Sequence, residues 1–226
     1  MHYSNIQQAI FLHRPNRFIA HIEVDGIEEV CHVKNTGRCK ELLTDRATIY
    51  VQHHDDDKRK TKYSLIAVEK GNLLINMDSQ APNKVVGEWI KEQEPFGEVK
   101  LLKPECKYGN SRFDFYLETA TDKMFIEVKG VTLEEDGIVR FPDAPTERGI
   151  KHLEELVACK KAGYKAAVIF VIQIEGMRHF EPNYKTHPAF AEALKRAQAA
   201  GVEVLAYECC VTPDSLAIAK AIPVQL

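Results

Sequence analysis

Arg112-Phe-Asp-Phe-Tyr-Leu-Glu118 and Met124-Phe-Ile-Glu-Val-Lys129 are two runs of strand-forming residues joined by Thr119-Ala-Thr-Asp122. Rich in β-branched and aromatic side chains and separated by a short polar stretch, they predict a β-hairpin. A two-residue turn with Thr119 facing Asp122 sets Glu118 against Lys123, Leu117 against Met124 and finally Asp114 against Glu127. Two carboxylates then stand opposite one another, with Cβ atoms roughly 5 Å apart, and Lys129 shares their face by the two-residue strand period. Like charges facing across a strand pair destabilise it. The compensation expected is a divalent cation with oxygen ligands, Mg²⁺ or Mn²⁺. A one-residue slip in the turn would send Glu127 and Lys129 to the opposite face.

Working outward, the chain divides into two rhythms. Residues 1–80 read as short strands: Arg17–Val24, a turn at Asp25-Gly26, Ile27–Val33, Ala47–Gln52, Tyr63–Val68 and Leu73–Asn76. About five strands in that length predict a small, closed or nearly closed barrel of the OB type, other small β folds being the alternative. Residues 81–226 alternate helices and strands. A helix is expected from Pro82 to Glu92, a strand near Val99–Leu102, then the hairpin and a helix from Thr146 to Ala162. Ala166–Ile172 reads as a fully buried strand, Pro188–Ala200 as a helix ending at Gly201, and Val202–Tyr207 as a last strand. The fold class is therefore mixed α/β, an OB-like barrel followed by a three-layer unit of α-β-β-β-α-β-α-β order, which begins with an αβββαβ unit.

Composition bounds the function. The chain of 226 residues is 45% hydrophobic and 28% charged, with a formal charge of −3. No apolar run approaches the ~20 residues of a membrane helix, and Met1–Gln8 lacks the basic and apolar regions of a signal peptide. Six scattered cysteines without Cys-x-x-Cys spacing point to reduced thiols in a cytoplasm. An acidic total does not exclude nucleic acid, because a local basic stripe suffices for phosphates. The first 80 residues carry equal numbers of basic and acidic side chains, so clustering is the signal. Lys34-Asn-Thr-Gly-Arg-Cys-Lys40, with Arg14 and Arg17 before it and Arg46 after it, marks a phosphate track built from Arg17, Lys34, Asn35, Gly37, Arg38 and Lys40. Lys58–Lys62 follows Asp55–Asp57 and reads as a self-compensating solvated loop.

Asp114 and Glu127, joined by the carbonyl of Val128, form the expected metal set. Lys129 either orients or deprotonates an attacking water or offsets developing charge; a surface salt-bridge cluster is the alternative for all three. Arg112 alternates onto the Asp114 face. Arg148 and His152, four apart on the next helix, share a face and would lie near a phosphate. Gly149, inside that helix, suggests close approach by a backbone or a phosphate. A further acid ligand is expected from Glu88 on the first helix, with Glu105 as its competitor.

Asp114…Glu127-Val-Lys129 resembles the signature of the PD-(D/E)xK, restriction-endonuclease-like superfamily. Lys107-Tyr-Gly109, Ser111–Phe115, Ile126–Leu133, Asn35-Thr-Gly37, Leu216…Ile222-Pro-Val224 and above all Phe141-Pro-Asp-Ala-Pro-Thr-Glu-Arg-Gly-Ile-Lys-His-Leu153 resemble the sugar fermentation stimulation protein A family. That resemblance covers nearly the whole chain. It implies an N-terminal OB-like domain, a nuclease-like C-terminal domain, DNA as the nucleic-acid partner and a connection to the regulation of sugar (maltose) metabolism. Two functions are open on this basis: a Mg²⁺-dependent nuclease, or a non-catalytic DNA-binding regulator that keeps the nuclease fold. A metabolic or scaffolding protein with a structural acid pair is the third.

Overall fold

A computed structural model describes every residue except Thr36 and Asp57. The basic loop Lys34–Lys40 and the Asp55–Asp57 run each contain one of these two positions, which lie outside the described residues.

Six strands form the N-terminal half: β1 (Ile6–His13), β2 (Ile19–Val24), β3 (Ile27–Val33), β4 (Thr48–His53), β5 (Tyr63–Lys70) and β6 (Leu73–Asn76). Their order is β3-β2-β1-β4-β5-β6, and β5 also pairs parallel to β3, which closes the first five into a barrel. Closure removes the sheet edges and buries alternate side chains such as Ala20, Ile22, Val51 and Leu65. The sequence pattern did not disclose β1. Its polar Gln7 and Gln8 hide the alternation that Ala9 and Phe11 carry inward.

The C-terminal half starts with α1 (Ala81–Gln93), followed by β7 (Leu101–Tyr108), β8 (Ser111–Glu118) and β9 (Lys123–Val131). After β10 (Leu133–Glu135) and β11 (Ile138–Phe141) come α2 (Glu147–Lys161), β12 (Lys165–Ile172), β13 (His179–Pro182), α3 (Pro188–Ala199), β14 (Glu203–Thr212) and β15 (Ser215–Ala221). The main sheet runs β15-β14-β12-β9-β8-β7, with β9 parallel to β12 and β12 parallel to β14. The edge strand β15 and the small sheet β10-β11-β13 are additions to the expected α-β-β-β-α-β-α-β order. These additions are short strands, or carry weak alternation, as the exposed Ala217, Ala219 and Lys220 of β15 show.

Both faces of the main sheet are covered, which is the physical basis of the three layers. Met124, Ile126, Val128, Ala167 and Ile169 pack against Val85, Val86 and Ile90 of α1. On the other face Phe125, Val168 and Phe170 meet Leu153 and Leu156 of α2 and Phe190 and Leu194 of α3. The continuous apolar run of β12 is explained by this double burial. The latter cluster does not stop at the sheet. It continues into the barrel through Ile75, Met77, Val33 and Ile22.

Thr146 caps α2, its hydroxyl accepting from the Gly149 N–H at 3.0 Å. A Cβ on Gly149 would lie 2.9 Å from Thr146 Cγ2 and 3.0 Å from Phe190 Cε2. The glycine therefore serves the cap and the α2–α3 packing, not a neighbouring backbone or a phosphate. Among the described residues, no helix is long and apolar enough to cross a membrane.

Candidate functional site

The hairpin forms in the expected register. Thr119 N–H donates to Asp122 O at 2.9 Å, and the ladder runs Glu118–Lys123, Leu117–Met124, Tyr116–Phe125 and Phe115–Ile126. It ends one pair short of Asp114 and Glu127. The ladder from β7 is also interrupted there, passing from Pro104–Phe115 to Cys106–Phe113 around Glu105, whose φ is +51°. Freed on both sides, Asp114 uses its side chain in place of a backbone partner. Oδ2 accepts the Val128 N–H at 2.8 Å, and Oδ1 accepts from Asn83 Nδ2 at 2.7 Å.

Glu127 projects from β9 toward α2 and is 3% exposed. The charged face of the hairpin is thus not an open surface; the N-terminal half of α2 lies over it. Glu127 Oε1 accepts from Lys129 Nζ at 2.5 Å and from His152 Nδ1. Arg148 Nε donates to His152 Nε2 at 3.3 Å. A ring nitrogen that accepts from a guanidinium carries no proton, so the network assigns the His152 proton to Nδ1, which donates it to Glu127. Glu127 Oε2 is buried and has no hydrogen-bond partner among the described residues.

The two carboxyls titrate in opposite directions. Burial raises the Asp114 titration above its ordinary value and the charge of Glu127 adds to the rise, against the Val128, Asn83 and Lys129 contacts. Burial also opposes ionisation of Glu127, but the His152 and Lys129 contacts outweigh it and hold this carboxyl below its usual value. One acid of the pair is favoured as the anion while its neighbour is favoured as the neutral acid.

The helix α1 delivers Asn83, not Glu88, to this place. Glu88 pairs instead with the Met1 amine at 2.8 Å. The sequence signal for Asn83 is Gly130, directly after Lys129. A Cβ there would stand 2.8 Å from Pro82 Cγ and 2.6 Å from Gln173 Oε1. Glycine lets the first turn of α1 press onto the strand, and Asn83 follows Pro82. Glu105 pairs across the exposed surface with Arg112 at 3.5 Å, so neither belongs to the buried cluster.

Of the expected phosphate track, Arg17, Arg38 and Lys40 are exposed on the barrel. Lys34 is turned inward, its ammonium 2.7 Å from the buried Asp78 carboxylate, which is 2% exposed. The Gly37 N–H is taken by Asn35 Oδ1 at 2.8 Å. Arg14 clamps the loop, donating to the carbonyls of Asn35, Gly37 and Arg38 at 2.6, 2.8 and 3.0 Å. Arg148 is exposed at the start of α2, next to the buried His152.

Among the described residues, no three or more His, Cys, Asp or Glu side chains stand together as a metal cluster. A hard cation does not require such a cluster, since water and carbonyl oxygens complete its shell. Mg²⁺ and Ca²⁺ accept one or two carboxylates, carbonyl oxygens and water. Glu127 Oε2, without a hydrogen-bond partner among the described residues, is an oxygen donor of the kind such ions take.

A closed five-stranded barrel followed by a three-layer α/β domain, with Glu127 buried and Asp114 and Lys129 half-buried on its hairpin, defines a protein joining an OB fold to a mixed α/β domain. The chain belongs to the sugar fermentation stimulation protein family. Its pattern for the "Sugar fermentation stimulation protein RE domain" matches residues 80–215, and that for the "SfsA N-terminal OB domain" matches residues 12–77. Sugar fermentation stimulation protein homologs of Clostridium beijerinckii and Desulfitobacterium hafniense are 60% and 56% identical. Each match spans the whole of this chain, covering 100% and 99% of the respective relative. The solved structure of Pyrococcus furiosus SfsA in complex with Ca²⁺ superposes with a TM-score of 0.90 at 27% identity, covering 100% of this chain and 98% of that one.

Proposed function

We propose that this chain is a cytoplasmic DNA-binding protein whose Asp114–Glu127–Lys129 cluster is a Mg²⁺- or Mn²⁺-dependent phosphodiester hydrolase site. The observation that carries the proposal is the buried, unpartnered Oε2 of Glu127 next to a carboxyl that resists ionisation. An unpaired carboxylate oxygen in a protein interior is expensive and is retained where a ligand completes it. The Ca²⁺ complex of the Pyrococcus furiosus relative is consistent with an oxygen-ligand cation in this family.

Asp114, Glu127 and the Val128 carbonyl would hold the cation. The bound ion supplies charge neutralisation at the scissile phosphate and at the departing oxygen. Glu127 is fixed in orientation by His152, which makes His152 a positioning residue. Lys129, 17% exposed, would leave Glu127 to orient the attacking water or to offset charge on the phosphate. Arg148, exposed at the mouth of the site, would meet a phosphate oxygen with the guanidinium nitrogens that its bond to His152 leaves over. Arg17, Arg38 and Lys40 would hold the DNA backbone at a distance from the chemistry, Asn35 and Gly37 shaping the loop that presents them.

A second reading is a DNA-binding regulator of sugar metabolism without turnover. It is favoured by the self-satisfied state of Lys129 and Asp114, whose polar atoms are occupied internally. One experiment separates the two: single- and double-stranded DNA incubated with Mg²⁺ or Mn²⁺ and with wild type or Lys129→Ala. Cleavage by wild type alone is expected. No cleavage by wild type, or equal cleavage by both, would leave the regulator.

A further inference from the structure

Asp143 belongs to the Phe141–Leu153 motif, yet the hydrolytic site makes no use of it. It lies where the two domains meet. A cleft of about 610 Å³ is lined on the barrel side by Arg17, Asn35 and Arg38, and on the other by Phe141, Pro142 and Asp143. A smaller cavity of about 130 Å³ continues past Asp143 to Gly130, the residue after Lys129. The Asp143 loop is built rather than loose. Asn183, itself 6% exposed, donates Nδ2–H to the Pro142 carbonyl at 3.0 Å, and its N–H donates to Phe141 O at 2.9 Å. His187 Nδ1 accepts the Thr146 N–H at 3.2 Å.

The charges in this cleft are sorted. Arg17 and Arg38 are exposed on the barrel wall, while Arg14 is consumed by backbone carbonyls. Arg140 is committed to Glu181 at 2.6 Å and Glu135 at 2.8 Å. Among the described residues, the Asp143 carboxylate enters no ion pair, and one of its oxygens lies against Gly37, 2.8 Å from where a Cβ would stand. A phosphate is repelled at that spot, and a basic peptide is repelled by the two arginines. An occupant that is anionic overall and presents hydrogen-bond donors locally complements both walls. A nucleotide meets both conditions, its phosphate toward the arginines and the donor edge of its base toward Asp143.

We infer that this interdomain cleft takes one unpaired nucleobase of a DNA strand, and that Asp143 reads its donor edge, guanine above all. The inference rests on the nucleic-acid reading above and names the strand state and base it prefers. A carboxylate only accepts, through two oxygens. The Watson–Crick edge of guanine offers N1–H and N2–H side by side, adenine and cytosine offer one amino group, and thymine a single imino N–H. In a duplex that edge is occupied, so reading it requires an unpaired strand. A cleft of about 610 Å³ has the room of a nucleotide or two.

The test is fluorescence anisotropy in EDTA, so that cleavage plays no part, with three labelled probes. These are an all-thymine oligonucleotide, the same strand with one central guanine, and a duplex containing that guanine. Wild type is expected to bind the guanine strand about tenfold or more tighter than the thymine strand, within the range of a bidentate base contact. In Asp143→Asn, which keeps the shape but replaces an acceptor by a donor, that ratio falls to about one. Wild-type binding of both single strands with equal affinity overturns the inference and leaves DNA binding intact, as does a ratio that survives in Asp143→Asn. A guanine duplex that binds as tightly as the guanine strand also overturns it. No binding of any probe overturns the nucleic-acid reading and this inference together.

Discussion

His152 on α2 donates its Nδ1–H to Glu127 on β9, so a helix residue 25 positions downstream holds the carboxylate of the hairpin in place. The link ties the orientation of Glu127 to the docking of α2 on the sheet. It also accounts for part of the depressed titration of Glu127, working against its burial.

Removing the donor in His152→Ala destabilises the protein by about 1–3 kcal/mol at neutral pH, the range for leaving a buried polar group short of a partner. A carboxyl held below its unfolded value contributes stability that is present above about pH 4.3 and lost as pH falls through the folded value. The part of the deficit due to this bond therefore shrinks in acid. Urea denaturation of both proteins from neutral pH to pH 3 measures it, and a deficit that stays constant would count against the assignment.

Asp114 has the opposite sign. Its raised folded value means that the stability it provides as the neutral acid is complete below about pH 3.9 and is lost as pH rises through the folded value. At neutral pH without metal, Asp114→Asn is expected to be more stable than wild type by about 1 kcal/mol, or about 2–4 °C in Tm. With Ca²⁺ or Mn²⁺ at a hundred times its Kd, wild type gains about 2.7 kcal/mol and the variant gains nothing, and EDTA reverses the gain. A variant that melts below wild type in EDTA, or still responds to metal, would sink the claim.

Lys34 and Arg38 sit four residues apart in one basic loop and are expected to behave differently. Lys34→Met strands the Asp78 carboxylate in the domain junction and costs about 3 kcal/mol of stability. Arg38→Ala leaves the melting curve in place and reduces the salt dependence of DNA affinity by about one unit of slope. Melting together with a salt titration of DNA binding tests the pair. Equal behaviour of the two variants would show that the basic run acts as a whole.

Gly149→Ala improves helix propensity by about 1 kcal/mol but drives a methyl group against Thr146 and Phe190. Overpacking costs about 1–3 kcal/mol. The variant is expected to be neutral to destabilised in chemical denaturation; a gain near 1 kcal/mol would mean the α2–α3 contact yields easily.

The hairpin was legible in the sequence down to its register because a two-residue strand period and a two-residue turn leave little freedom. What surrounds the hairpin was less legible. Nothing local in Asn83 distinguishes it from a solvated helix residue; its role depends on Gly130, nearly fifty positions later, allowing Pro82 to approach. Lys34 and Arg38 have the same composition signal, and only the position of Asp78 turns one inward. Glu88 has the helix and the charge of a ligand, whereas the helix rotation presents Asn83 to Asp114 and leaves Glu88 to the Met1 amine. The strands β1 and β15 escaped detection because one carries glutamines at its start and the other alanines and a lysine on its exposed side. Tertiary pairing supplied what their alternation lacked.

The apolar cluster that runs from Ala9 and Ile22 in the barrel to Phe170, Leu194 and Ile222 at the far end of the chain has a consequence for heredity as well as for folding. A fragment cut near Ser79 would expose half of a shared interior on each piece, so neither half is a module that can be lent to another protein unchanged. The boundary between the OB barrel and the three-layer α/β domain is visible in the order of the strands, but it is not a seam in the material.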